Sequence, residues 1–203
     1  MSKNVEFPKL KPAYLAALLP TCVALNYAGG MIREMLKVPL FLDTGGTLLA
    51  CFIAGPWVGL LCAALNAVVM AITLGPLNLL TVIPTGIIAL IVGFSAKKGY
   101  TKSWLGLILT LIAEQPFACA ASAYVYTYIY GGFTGGGQDV MHAFFVNVTK
   151  DLFTSSFIAE LATGFLDKFV LTIVLMLIFR ALPEKYRVAT PFSGKTAAAD
   201  EYE

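Results

Sequence analysis

The chain has 203 residues, 58% of them hydrophobic and 13% charged, with a formal net charge of +2. That balance excludes an ordinary soluble domain, which needs far more polar surface. The small net charge offers nothing to nucleic acid, and what matters is where the charges fall along the chain.

At about 20 apolar residues per crossing of the hydrocarbon core, six apolar segments fill the length. The predicted fold is an all-α membrane protein of six transmembrane helices. Residues 1–12 form a tail, 13–182 the membrane domain, and 183–203 a polar tail without fixed structure. Lys3, Lys9 and Lys11 precede the first apolar run, as in a signal peptide. Pro8, Pro12 and Pro20 interrupt that run and no small-residue cleavage pattern follows, so it reads as an uncleaved span.

Span 1 is expected at 13–27, ending where Ala28-Gly29-Gly30 breaks it. Residues 31–40, with Arg33, Glu34 and Lys37, then form an outer connection. Span 2 (40–55) and span 3 (57–74) are short and make a tight helical hairpin around Gly55-Pro56. Span 4 covers 79–96 and is expected to kink at Pro84-Thr85-Gly86. A basic loop follows at 97–103, then span 5 at 104–130 with Pro116 near its middle. The run Gly131 to Gly137 is the most flexible stretch. Residues 142–182 are too many for one crossing at about 1.5 Å each. Their first part is assigned to the outer surface and span 6 to 156–182.

Ten of the 14 Lys and Arg lie in the two tails, the loop at 97–103 and the end of span 6. An even number of spans puts those regions on one face, and the positive-inside rule makes that face cytoplasmic. The expected location is a prokaryotic plasma membrane, crossed several times with both termini inside.

Polar residues within spans are costly and read as functional by default. Glu114 and Gln115 lie in span 5, and Glu160, Asp167 and Lys168 in span 6. Asp167 and Lys168 point about 100° apart on a helix and need not pair. The outer half supplies ligand-binding candidates: Asn26, Tyr27, Arg33, Asn66, Asn78, Tyr124, Tyr128 and Asn147. The tyrosines fit an interfacial aromatic belt equally well. The single histidine, His142, reads as a solvated loop residue. Ala13 and Ala17 share one face of span 1, where small side chains let another helix approach closely. That helix belongs either to this chain or to a docked subunit.

Four cysteines lie in apolar segments without a CxxC pair and read as small buried hydrophobes. No phosphate loop, HExxH or GxSxG is present, so no catalytic residue, metal site or cofactor is expected.

Leu40 to Thr47, followed by Gly55-Pro56-Trp57-Val58-Gly59, resembles the span 2–3 hairpin of the substrate-binding S-components of energy-coupling factor vitamin importers. Ala13 and Ala17 are similar to that family's alanine motif, and Glu160 to Pro183 resembles its final helix. The resemblance covers most of 13–183. It implies a non-enzymatic subunit that captures a water-soluble vitamin near the outer surface. It also implies a transmembrane coupling subunit, docked on the Ala13–Ala17 face, and two cytosolic ATPases.

The residues also permit a self-sufficient carrier using Glu160, Asp167 and Lys168 as an ion relay, or a membrane sensor. Amides and aromatics outnumber charges at the expected pocket. That favours a large, mostly neutral vitamin such as cobalamin, with pantothenate and pyridoxine- or pyrimidine-type vitamins as alternatives.

Overall fold

The computed structural model describes residues 5–37, 40–132, 134 and 137–193. Among the described residues the chain forms seven α-helices and no strand.

Helix α1 spans Pro12–Leu36 and ends at Lys37 in the left-handed conformation. Pro12 begins it, where a missing N–H costs nothing. The predicted break at Gly29-Gly30 is absent, because both glycines sit inside the helix. A side chain on Gly29 would overlap the Leu42 carbonyl, and one on Gly30 the Met70 methyl. The glycines therefore serve close packing rather than a turn, and Arg33 is carried on a helix instead of a loop.

After a single 3₁₀ turn at Leu42–Thr44, helix α2 occupies only Gly45–Ala54. Ten residues reach about 15 Å, half of a bilayer core of roughly 30 Å. Gly45 to Ile53 are all buried, enclosed by α1 and the later helices α3, α4 and α7. The expected six spans are seen only in part. Five helices are long and apolar enough to cross a membrane, at Pro12–Leu36, Pro56–Leu74, Pro76–Lys97, Trp104–Ile129 and Leu152–Ala181. The sixth apolar segment is a short core helix.

The predicted hairpin is present: Gly55 turns with φ 88°, and Pro56 begins α3 (Pro56–Leu74). A 3₁₀ stretch at Pro76–Thr81 leads into α4 (Val82–Lys97). Pro84 is the third residue of α4, just after the 3₁₀ stretch gives way to α-helix. Helix α5 (Trp104–Tyr124) accommodates Pro116 and runs on into a π-turn at Val125–Ile129. Helix α6 (Gln138–Thr149) reverses at left-handed Lys150 and packs antiparallel against α7 (Leu152–Ala181). Asp151 caps α7 by accepting from Thr154 N at 2.7 Å, and the Thr154 hydroxyl together with this N–H holds its exposed carboxyl below the usual range.

Polarity is inverted relative to a soluble bundle. Glu114, Gln115, Glu160, Asp167 and Lys168 are buried, while Leu105, Leu109, Phe117, Phe169 and Leu177 on the same helices are exposed. Exposed apolar faces of this extent suit a lipid surround.

The two chain ends share one end of the bundle. Val5 N donates to Lys97 O at 2.7 Å, and the Phe7 ring lies against Gly55. Residues 184–193, expected to lack fixed structure, are packed there as well. Thr101 donates its hydroxyl to Ala189 O, Ala189 and Thr190 are fully buried, and Trp104 meets Phe192 edge-on at 5.2 Å. Lys3 and Lys195 lie outside the described residues, while Lys97, Lys98, Lys102, Lys185 and Arg187 mark this end as basic.

Candidate functional site

Polar side chains converge inside the bundle between its middle and the end away from Lys97. Helix α1 brings Arg33, whose Nη1 lies 3.5 Å from Asp43 Oδ2 and whose Nη2 lies 3.1 Å from Glu34 Oε1. The turn before α2 supplies Asp43 and Thr44. Helix α7 brings Lys168, with Nζ 3.3 Å from Asp167 Oδ2, 3.7 Å from Glu114 Oε1 and 3.4 Å from Thr44 Oγ1. Asp167 and Lys168 thus do pair, because the flexible lysine stem bends back to its neighbour. Gln115 Nε2 donates to Glu114 Oε1 at 2.9 Å. Its amide fits because Gly164 opposite has no side chain; a Cβ there would overlap Gln115 Oε1.

Nearer the end of the bundle, His142 Nε2 lies 3.6 Å from Glu160 Oε1. His142 is no solvated loop residue. It is 1% exposed on α6, with its ring 3.7 Å from that of Tyr126. Tyr126 in turn donates its hydroxyl to Asp139 Oδ1 at 2.6 Å.

Two adjoining cavities open among these groups. The outer one, about 240 Å³, is lined by residues including Arg33, Asn78, Tyr126, Tyr130, Gln138 and Glu160. The inner one, about 90 Å³, shares Arg33, Phe41 and Glu160 and reaches Thr44, Gln115 and Lys168. Burial pushes the Tyr130 phenol above its ordinary value, with the Arg33 charge opposing the rise. The expectation of a pocket with few charges is corrected, since acidic and basic groups both face the space.

The eight predicted ligand residues separate. Arg33 and Asn78 line the outer cavity. Asn26 is fully buried but engaged within the protein: Oδ1 accepts from Gly46 N at 2.6 Å and Thr47 N at 3.3 Å, and Nδ2 donates to Thr47 Oγ1 at 2.9 Å. It satisfies the open N–H groups at the start of α2. Tyr27 is half-buried and lines neither cavity. Asn66 is buried on α3 with Oδ1 unpartnered and lines neither cavity. Tyr124 and Tyr128 are 57% and 65% exposed, their rings tilted at 47° with centroids 5.0 Å apart, as an interfacial belt allows. Asn147 is exposed and donates to Ala143 O at 2.9 Å, one turn back.

Ala13 and Ala17 are exposed on α1, in line with Thr21, Ala24 and Ala28, which are exposed too.

Sequence reasoning missed Phe41 and Gln138 as lining residues. Arg33, Asn78 and the intramembrane charge of Glu160 were the signals that pointed to the site. The described residues hold no group of three or more His, Cys, Asp or Glu suited to a metal ion. No family model, curated protein or solved structure matches this chain.

Proposed function

We propose that this chain is the membrane-embedded binding subunit of an importer. It takes a small water-soluble molecule, of vitamin class, at the end of the bundle away from the basic loops. A separate coupling subunit and two ATPases supply the energy. The observation that carries this reading is the cavity of about 240 Å³, lined by both apolar and charged residues, at one end of an otherwise apolar-faced bundle. A concave, mostly apolar pocket with a few placed polar groups is the usual form of a small-molecule site. Below it, Lys168 with Asp167 and Glu114, and the packed α2, fill the interior as a plug. Such a plug suits a binding protein better than an open channel.

The small-residue stripe Ala13, Ala17, Thr21, Ala24 and Ala28 supports the second half of the reading. It leaves α1 with a shallow face that another membrane helix can approach closely. The absence of a phosphate loop fits ATP hydrolysis by partners.

The cavity narrows the ligand. It lies at or below the small end of ordinary ligand pockets, roughly 300–1,000 Å³. A corrinoid is far larger, so cobalamin is no longer favoured; a vitamin of one or two rings fits better.

The buried charges also favour one second reading, a self-sufficient carrier in which Glu114, Asp167 and Lys168 pass ions. Uptake into cells separates the two. The binding-subunit reading expects uptake only with the ATPase partners present, and no loss on collapsing the ion gradients. Uptake by this chain alone, abolished by an ionophore, sinks it.

A further inference from the structure

The charges around the cavity do not balance, and the imbalance bears on what the cavity accepts. This inference rests on the binding-subunit reading. Among the described residues, four acids meet in the interior, Asp43, Glu114, Glu160 and Asp167, each at most 5% exposed. Two bases answer them. Arg33 is engaged by Asp43 and Glu34, and Lys168 by Asp167 and Glu114. Both bases are already engaged by carboxylates.

Glu160 is left over. Among the described interior acids it alone has no Lys or Arg within 4.0 Å; its ionic neighbour is His142 at 3.6 Å. Glu160 lines both cavities, so a cation held in that space stands beside its carboxylate. An uncompensated buried carboxylate is costly, and a cation placed beside it removes that cost.

A second, independent observation lies on the same cavity wall. The side chain of Gln138 is 8% exposed, and neither its Oε1 nor its Nε2 has a hydrogen-bond partner. Buried amides are normally satisfied. This one borders the outer cavity, where a ligand with adjacent donor and acceptor atoms would satisfy both ends. Phe41, Tyr126 and Tyr130 add aromatic surface to the same space, which suits a planar or cationic group.

We propose that the cavity selects a small organic cation, an ammonium or a positively charged nitrogen heterocycle, with its charge against Glu160 and a polar edge on the Gln138 amide.

The test uses the purified full chain in detergent, titrated calorimetrically with thiamine and choline as cations, nicotinamide and pyridoxine as neutral probes, and pantothenate and nicotinate as anions. A cation is expected to bind best. Glu160→Gln should weaken it roughly 10- to 100-fold, the range for a lost charge-assisted hydrogen bond. Gln138→Lys, at the rim of the cavity, should abolish it by repulsion, and it provides the second variant if Glu160→Gln fails to fold. Preferred binding of a neutral or anionic probe, or an unchanged cation affinity in a folded variant, overturns the proposal. So does binding of no cation at all. An anion carried inward with ATPase partners would defeat the cation and leave the importer reading standing. Uptake by the chain alone, driven by an ion gradient, would defeat the importer reading whatever the ligand's charge.

Discussion

Lys168 on α7 and Glu114 on α5 face each other inside the bundle, Nζ lying 3.7 Å from Oε1, with Asp167 Oδ2 3.3 Å from the same nitrogen. One ammonium thus serves two buried carboxylates. Removing it leaves both uncompensated, which is far worse than losing an ordinary contact. Lys168→Met should destabilise the purified chain by about 3–5 kcal/mol, read as a lowered melting temperature in detergent. Adding Glu114→Gln to Lys168→Met should restore part of that loss. Equal melting of wild type and Lys168→Met would mean that the pair is not holding α5 to α7.

Asn26 was a ligand candidate by sequence, and its geometry gives it a different task. Its side chain holds Gly46 N, Thr47 N and the Thr47 hydroxyl, tying α1 to the start of α2. Asn26→Ala strands buried donors, at about 1–3 kcal/mol for each group left unsatisfied. The expected result is a lower melting temperature, with ligand affinity at low temperature nearly unchanged. A large affinity loss without a stability loss would return Asn26 to the site.

Crowding on the exposed α1 face tests the proposed docking. Ala17→Trp puts a large side chain where another helix must approach closely. Residue 17 is exposed and far from the cavity, so the isolated chain should bind ligand as before. Uptake with the ATPase partners should fall to background. Normal uptake in both Ala17→Trp and Ala13→Trp removes this face from the mechanism.

Orientation is open to chemical labelling. All four cysteines are buried and free, so the wild-type chain supplies little background. In intact cells, an impermeant maleimide should label Asn147→Cys, on α6 near the cavity end, and spare Lys98→Cys. The reverse pattern would put the cavity on the cytoplasmic side and end the uptake reading.

Much of this architecture is written locally. Apolar length and composition identify the long helices, because a bilayer imposes a fixed span and internal hydrogen bonding on any segment within it. Gly55-Pro56 marks its turn without help, since glycine takes φ 88° and proline opens the next helix. Glu114, Glu160, Asp167 and Lys168 also stand out, because a charge in an apolar run must have a reason.

Other features depend on what lies across the interface. Gly29 and Gly30 carry the same local signal as a turn. They stay helical because the Leu42 carbonyl and Met70 press against them. Helix α2 has the hydropathy of a span but only ten residues, and four neighbours enclose it. The cavity is the clearest case. Arg33, Gln138 and Glu160 are more than a hundred residues apart at the extremes, on α1, α6 and α7. Their sequence surroundings report hydropathy and helical phase. Only packing decides which polar groups pair, which are left unpaired, and that the remainder face one shared space.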